Sequence, residues 1–421
     1  MDIFSYLLGR KYKDSNTGSG SGANITSNIK IVDNKSSVLS SNHNKLCIVN
    51  DTSDLTFKVV NKIEGGSEEL STLSEVLPQK LSSACCCTYE DNIYIFGGNN
   101  GNTAIDTIYK FNTTTKTIET LSVALPKALY NARCSRYRDN IFIFGGQDKS
   151  SYYQNTIYKF NCTDETISIL DTTLSSKNAS FCCETHGDNI YIFGGYNNGT
   201  ILSTIQKFNC TNETITTLGV SLPQALQETC CSIFNDNIYI FGGENSSDKV
   251  NTIYRFNCTN ETITKLSVTL PQTLYYACCS IFGDNIYVFG GYGISWLKTI
   301  YKFNCTNETM TTMSTTLPQA LYNACCSIFG DNIYVFGGYN GNDRVNTIYD
   351  FSVTFGLTAN NVLLYCANSK YNFDLITDQV TIPIKNIYIG DSNNTAQLCN
   401  AYLYDETKSA WVNVNTGEVL S

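Results

Sequence analysis

The chain has 421 residues, a formal charge of −9 at pH 7 and only 15% charged residues, against roughly 25% in ordinary domains. This length can bury a sizeable core without disulfide or metal staples, and no basic run exceeds Arg10-Lys11-Tyr12-Lys13, which argues against a phosphate-driven nucleic-acid surface. No apolar run of about 18 residues predicts membrane insertion, and Met1–Arg10 lacks the basic start and long apolar core of a secretory leader, so the expected compartment is a cytoplasm.

In chain order, residues 1–23 pair a short apolar peptide, Ile3, Phe4, Tyr6, Leu7 and Leu8, with a Gly/Ser/Asn linker from Asp14 to Ala23. The peptide is too short to hold structure alone. Tethered by a flexible linker, it reads as a docking tag for another protein. Residues 24–67 read as a β segment or partial blade.

Residues 68–352 are dominated by a repeat. The segment Asp-Asn-Ile-(Tyr/Phe)-(Ile/Val)-Phe-Gly-Gly occurs six times, with first glycines at Gly97, Gly145, Gly194, Gly242, Gly290 and Gly337, spaced 47 to 49 residues apart. A period near 50 with strand-like alternation and frequent turn residues predicts one four-stranded propeller blade per repeat and excludes a helical solenoid. One unit reads as strands Ala277–Phe282, Ile286–Phe289, Thr299–Asn304 and Glu308–Met313. Small residues in the first strand suit the taper toward a propeller axis. The glycine pair permits positive φ and close approach between blades.

The apolar run ending in Gly-Gly, the following Tyr strand and the Leu-Pro before the next unit resemble the kelch motif. The resemblance implies an all-β, kelch-type β-propeller over about 68–352, although Ile or Leu stands where the outer kelch strand usually carries Trp, as in Thr262–Leu266. Glu68–Leu73 followed by Leu77-Pro78 matches a fourth strand without its preceding Gly-Gly strand, and the last unit lacks a fourth strand. A six-bladed ring closed by the N-terminal strand is therefore expected, since it removes an open sheet edge. A seventh blade from Lys45–Leu73 is the alternative. Residues 353–421 read as a small C-terminal β-module.

Nineteen cysteines in a long chain read as reduced, small, buried hydrophobes. Neighbours such as Cys182–Cys183 point to opposite faces of a strand, which discourages their bridging each other. Without CxxC spacing or partner histidines, zinc is not expected. Catalytic groups are thin: His43 and His186 occupy unrelated contexts, His186 at a strand-to-strand turn. A propeller isomerase or glycosidase would need Arg and carboxylates facing the channel, a pattern that Arg133 meets only in part. No cofactor, metal or enzymatic activity is expected.

Binding is better supported. The turns on one face repeat Gly-Asp-Asn and Asn-Cys-Thr-Asn-Glu-Thr, whose side chains close tight turns, an assignment preferred here to glycan-acceptor sequons. The loops of the other face differ from unit to unit, as a recognition surface requires. Candidate ligand-binding residues around that rim are Tyr130, Asn131, Arg133, Tyr275, Tyr276, Tyr292, Trp296, Tyr322, Asn323 and Tyr339. Aromatic rings beside amides with few charges suit sugars.

The two ends, Phe4–Gly9 with its linker and C-terminal pieces such as Ile387–Asp391 and Ala401–Asp405, resemble minor structural and fibre proteins of phages of low-GC Gram-positive bacteria. That resemblance implies a virion protein assembled in the host cytoplasm, docked to other virion proteins by its N-terminal peptide and binding a host-surface glycan or protein receptor. Two alternatives are a purely structural bracing protein of the virion and a cytosolic kelch interaction module.

Overall fold

Each repeat carries strand-forming residues in four short alternating runs separated by turn residues, and each run becomes a strand. The computed structural model describes residues 67–354 continuously, with the backbone of short strands on either side. The strands of 67–354 form six four-stranded antiparallel sheets. In the unit used above as the example, the strands are Cys278–Phe282, Asn285–Phe289, Thr299–Asn304 and Thr309–Thr316. The outer strand ends three residues later than expected.

The innermost strands pack side by side in cyclic order, and the last, Cys325–Phe329, lies beside the first, Cys85–Tyr89. The ring is closed as expected. Ser67–Val76 is the outer strand of the sixth blade, beside Thr347–Thr354, so the sheet that joins the ends contains both. Among the described residues no seventh blade forms.

Blade packing follows from the period-two pattern. In the second strand Ile93 and Ile95 face one neighbouring blade while Tyr94 and Phe96 face the other. A phenylalanine from the third strand of the next blade lies over each such Tyr/Phe pair: Phe160 stands 5.1 Å from Tyr94 and 5.3 Å from Phe96. The same triplet recurs at Phe111 on Tyr334 and Phe336, and at Phe351 on Tyr287 and Phe289. Tilted and edge-on rings add about 0.5–1.5 kcal/mol per pair beyond burial.

The glycine pair locks the interface. Gly242 has φ +58° and Gly243 φ +100°, and the Gly243 N–H donates to the Leu274 carbonyl of the next blade at 2.7 Å. A Cβ on Gly242 would collide with that same carbonyl. Equivalent bonds run from Gly98 to Leu129, Gly291 to Leu321 and Gly338 to Leu81.

At the axis, two successive positions of the innermost strands carry eleven cysteines and Arg133. The thiol at the second position of each blade meets the first-position thiol of the blade before it: Cys86 with Cys325, Cys134 with Cys85, Cys231 with Cys182, Cys279 with Cys230 and Cys326 with Cys278. The sixth junction has Arg133 beside Cys183. Burial, and then the partner thiol, hold the five second-position thiols well above the usual range.

By Cα packing, residues 69–352 form one unit and residues 1–68 with 353–421 another. Described strands of the second unit lie in two sheets, each containing strands from both flanks, for example Phe57–Val59 with Asn361–Cys366. The docking-tag residues Ile3, Phe4, Tyr6, Leu7 and Leu8, and His43, lie outside the described residues. Among the described residues no helix is long and apolar enough to cross a membrane.

Gly330 has φ +60° with open space around its α-carbon, whereas Gly242 has a similar φ and a blocked one. Gly330→Ala should cost only the left-handed backbone strain, about 1 kcal/mol. Gly242→Ala adds a collision with backbone and should cost about 3 kcal/mol or more. Denaturant unfolding of the two variants measures the gap, and equal losses would refute the interlocking role of the glycine pair.

Candidate functional site

Six residues, each two positions before an innermost strand's first aligned residue, share positive φ: Ser83, Asn131, Ser180, Glu228, Tyr276 and Asn323, between +52° and +60°. Each N–H donates to the carbonyl of its counterpart in the preceding blade, from Asn131 to Ser83 at 2.9 Å and onward until Ser83 donates to Asn323 at 2.8 Å. The channel mouth is therefore ringed by a closed set of backbone hydrogen bonds, and what differs between blades is the side chain.

Outside this ring, the loop entering each blade pairs with the loop between its second and third strands, so both variable loop classes lie on one face. The pairing brings together three residues per blade. In blade one they are Ser82, Asn99 and Ala104, and in blade four Gln227, Glu244 and Lys249. Blade two shows Tyr130, Gln147 and Tyr153, and blade three Ala179, Tyr196 and Ile201. Blades five and six show Tyr275, Tyr292 and Trp296, then Tyr322, Tyr339 and Arg344.

Blades five and six thus join into one aromatic arc. Ring centroids are 5.7 Å apart from Trp296 to Tyr292, 5.6 Å from Tyr292 to Tyr275 and 4.4 Å from Tyr275 to Tyr276. The arc continues 5.6 Å from Tyr276 to Tyr322 and 5.1 Å to Tyr339. Cations bracket it: Lys249 Nζ lies 4.8 Å from the Tyr292 ring centre and Arg344 lies 5.8 Å from that of Tyr339. Trp296 packs over Gly341 of blade six yet remains 45% exposed, and Ile294 beside it is 87% exposed. Burial, and then Glu244, push the Tyr275 phenol up to about 12, so that ring is a neutral hydrogen-bonding group at ordinary pH.

Toward the other side of the ring, Arg133 reaches across from blade two to Glu228 of blade four, with Nη2 and Oε2 3.5 Å apart. Glu228 is 2% exposed. Burial raises its carboxyl to about 7 against the pull of the Arg133 guanidinium and the hydrogen bond from Ser180. The Asn131 Oδ1 nearby in the ring is buried without a partner.

Of the ten residues expected at the rim, Tyr275, Tyr276, Tyr292, Trp296, Tyr322 and Tyr339 come together in the arc, and Asn323 occupies the ring beside it. Tyr130 is remote from them and shares a hydrogen bond with Ser151. Asn131 is buried rather than displayed. Arg133 is engaged by Glu228. Sequence reasoning missed Lys249, Arg344 and the Arg133–Glu228 pair. The first two could have been found by aligning them with Trp296 as the third displayed residue.

The opposite face holds the repeated turns. Asn209, Asn257 and Asn304 Oδ1 each accept backbone N–H groups two and three residues on, the turn role expected of them. Lys159 and Lys207 reach glutamates of the next blade's turn, Glu213 and Glu261, at 2.7 Å. His186 ends an innermost strand, and its Nε2 lies 2.9 Å from Asp236 of the next blade. Tyr137 fills the same position in its blade and donates to Asp188 at 2.6 Å, so His186 is one of a set of inter-blade contacts. Among the described residues no group of three or more His, Cys, Asp or Glu side chains could hold a metal ion.

Six closed blades with one uniform and one varied face define an interaction propeller. A family model described as the KLHDC2/KLHL20/DRC7 Kelch-repeats domain matches residues 59–220 and 171–274, together more than half of the chain, and the Kelch motif matches residues 320–356. The chain belongs to the kelch-repeat family. A solved structure, that of YjhT, superposes with a TM-score of 0.57 at 16% identity over 65% of this chain and 95% of that one, a likeness of fold. No curated protein matches the chain.

Because the native Glu228 binds its proton more tightly than the unfolded chain, whose carboxyl titrates near the usual 4.5, stability should be highest below about pH 4.5 with respect to this group. It should fall as pH rises toward 7, by up to about 3 kcal/mol. Glu228→Gln should flatten that part of the profile in unfolding measurements from pH 4.5 to 8. An unchanged slope would rule out Glu228 as its source.

Proposed function

We propose that this kelch propeller is a non-enzymatic recognition module that binds a glycan along the arc from Trp296 to Tyr339. The observation that carries the reading is the continuity of six aromatic rings over two adjacent blades, in a scaffold whose other face is uniform. Sugar CH faces stack on such rings, while phenols, Asn323 and the flanking Lys249 and Arg344 donate hydrogen bonds to hydroxyls. A setting on a virion assembled in the host cytoplasm, with the N-terminal peptide docking the protein and a host-surface glycan or protein receptor as target, belongs to the same proposal and is supported by the terminal resemblance.

A second reading is a protein partner, including another virion protein that the propeller braces. The exposed Ile294 next to Trp296 favours it, since an apolar loop tip at the end of the arc suits a protein contact better than a sugar.

A glycan array probed with the full chain, followed by adsorption to candidate host cells, tests the first reading. Trp296→Ala and Tyr276→Ala should each weaken binding about tenfold or more, the range for a central aromatic anchor, while Tyr153→Ala on the far side should not. Loss of particle incorporation with no glycan retained on the array would favour the second reading. Full binding by the Trp296 and Tyr276 variants would refute a ligand site on the arc.

A further inference from the structure

We propose that the five thiol pairs around the propeller axis are binding sites for thiophilic cations that prefer linear, two-coordinate geometry, the class of monovalent silver and copper. The pairs arise from the ring: a first-position cysteine of one blade and a second-position cysteine of the next pack together at the junction, as Cys325 with Cys86 and Cys85 with Cys134 do. The first-position member is buried in both examples and the second is partly exposed.

Taper alone does not require sulfur. The position immediately before these two carries Ala84, Ala132, Ala277 and Ala324 in four blades and Phe181 and Thr229 in the others, so residues other than cysteine also fit the innermost strand. The donor set decides which ions suit. Soft thiolates select soft d10 cations, and the absence, among the described residues, of any three-ligand group disfavours tetrahedral zinc while leaving a two-sulfur site intact. Each ion would form two metal–sulfur bonds in place of two S–H bonds, releasing two protons to solvent. No electrons change hands.

The sixth junction is a control built into the chain. There Arg133 replaces the first-position cysteine beside Cys183, offering one sulfur and a positive charge that repels a cation.

The test loads the reduced full-length chain anaerobically with silver(I), removes weakly held metal with thiosulfate, and counts bound silver by mass spectrometry. Cys86→Ser and Cys134→Ser should each bind one ion fewer than the unaltered chain, and Cys183→Ser the same number. Equal losses in all three variants, or no loss in any, would overturn the pairing. X-ray absorption of the silver-loaded unaltered chain provides a readout independent of variant folding: two sulfur neighbours per silver support the proposal, and three or more refute it.

Discussion

The contact on which the ring depends is a backbone one. The second glycine of each Gly-Gly donates its N–H to a carbonyl in the next blade, and the first, held at positive φ, leaves that carbonyl room. A hydrogen bond between buried backbone groups contributes modestly in itself, but leaving either group unpaired costs about 1–3 kcal/mol. Six such contacts set the spacing at which the phenylalanine of one blade settles over the Tyr/Phe pair of its neighbour. The aromatic packing supplies the apolar driving force, and the glycines determine that it is realised at one distance and angle.

Most of the fold is legible in the sequence because a repeat states its own boundaries: the Gly-Gly spacing marks the blades, and the unpartnered strand at each end of the array marks the closing sheet. The outer strands were harder to delimit. Thr309–Thr316 alternates exposed and half-buried residues with only Met313 fully buried, so no apolar run announces where it stops. At the rim, the aromatic residues of blades five and six were visible as tyrosines in loops that vary between copies. Lys249 and Arg344 were not, because their partners are rings brought near by loop pairing. Arg133 and Glu228 lie 95 residues apart, in blades that are not adjacent and at different positions of the repeat. Buried Asn131 shows the converse: a residue type that suits binding lies in the wall.

The two faces divide the work of the molecule between them. Asn-capped turns and ion pairs from third strand to neighbouring turn recur on one side, where each copy does the same structural task. The other side repeats only its backbone pairing, and the three paired residues range from Ser82, Asn99 and Ala104 to Tyr275, Tyr292 and Trp296. Separating the groups that hold the disc together from those that meet solvent lets one scaffold carry very different surfaces.

The hydrogen bonds around the throat run in a single sense, each peptide group giving to the blade before it. Such a homodromic circuit lets neighbouring dipoles polarise one another, and it involves no side chain. A serine, a glutamate or a tyrosine can therefore occupy any of the six stations without breaking the loop that rings the axis. Substitution around the throat is here uncoupled from closure of the circuit.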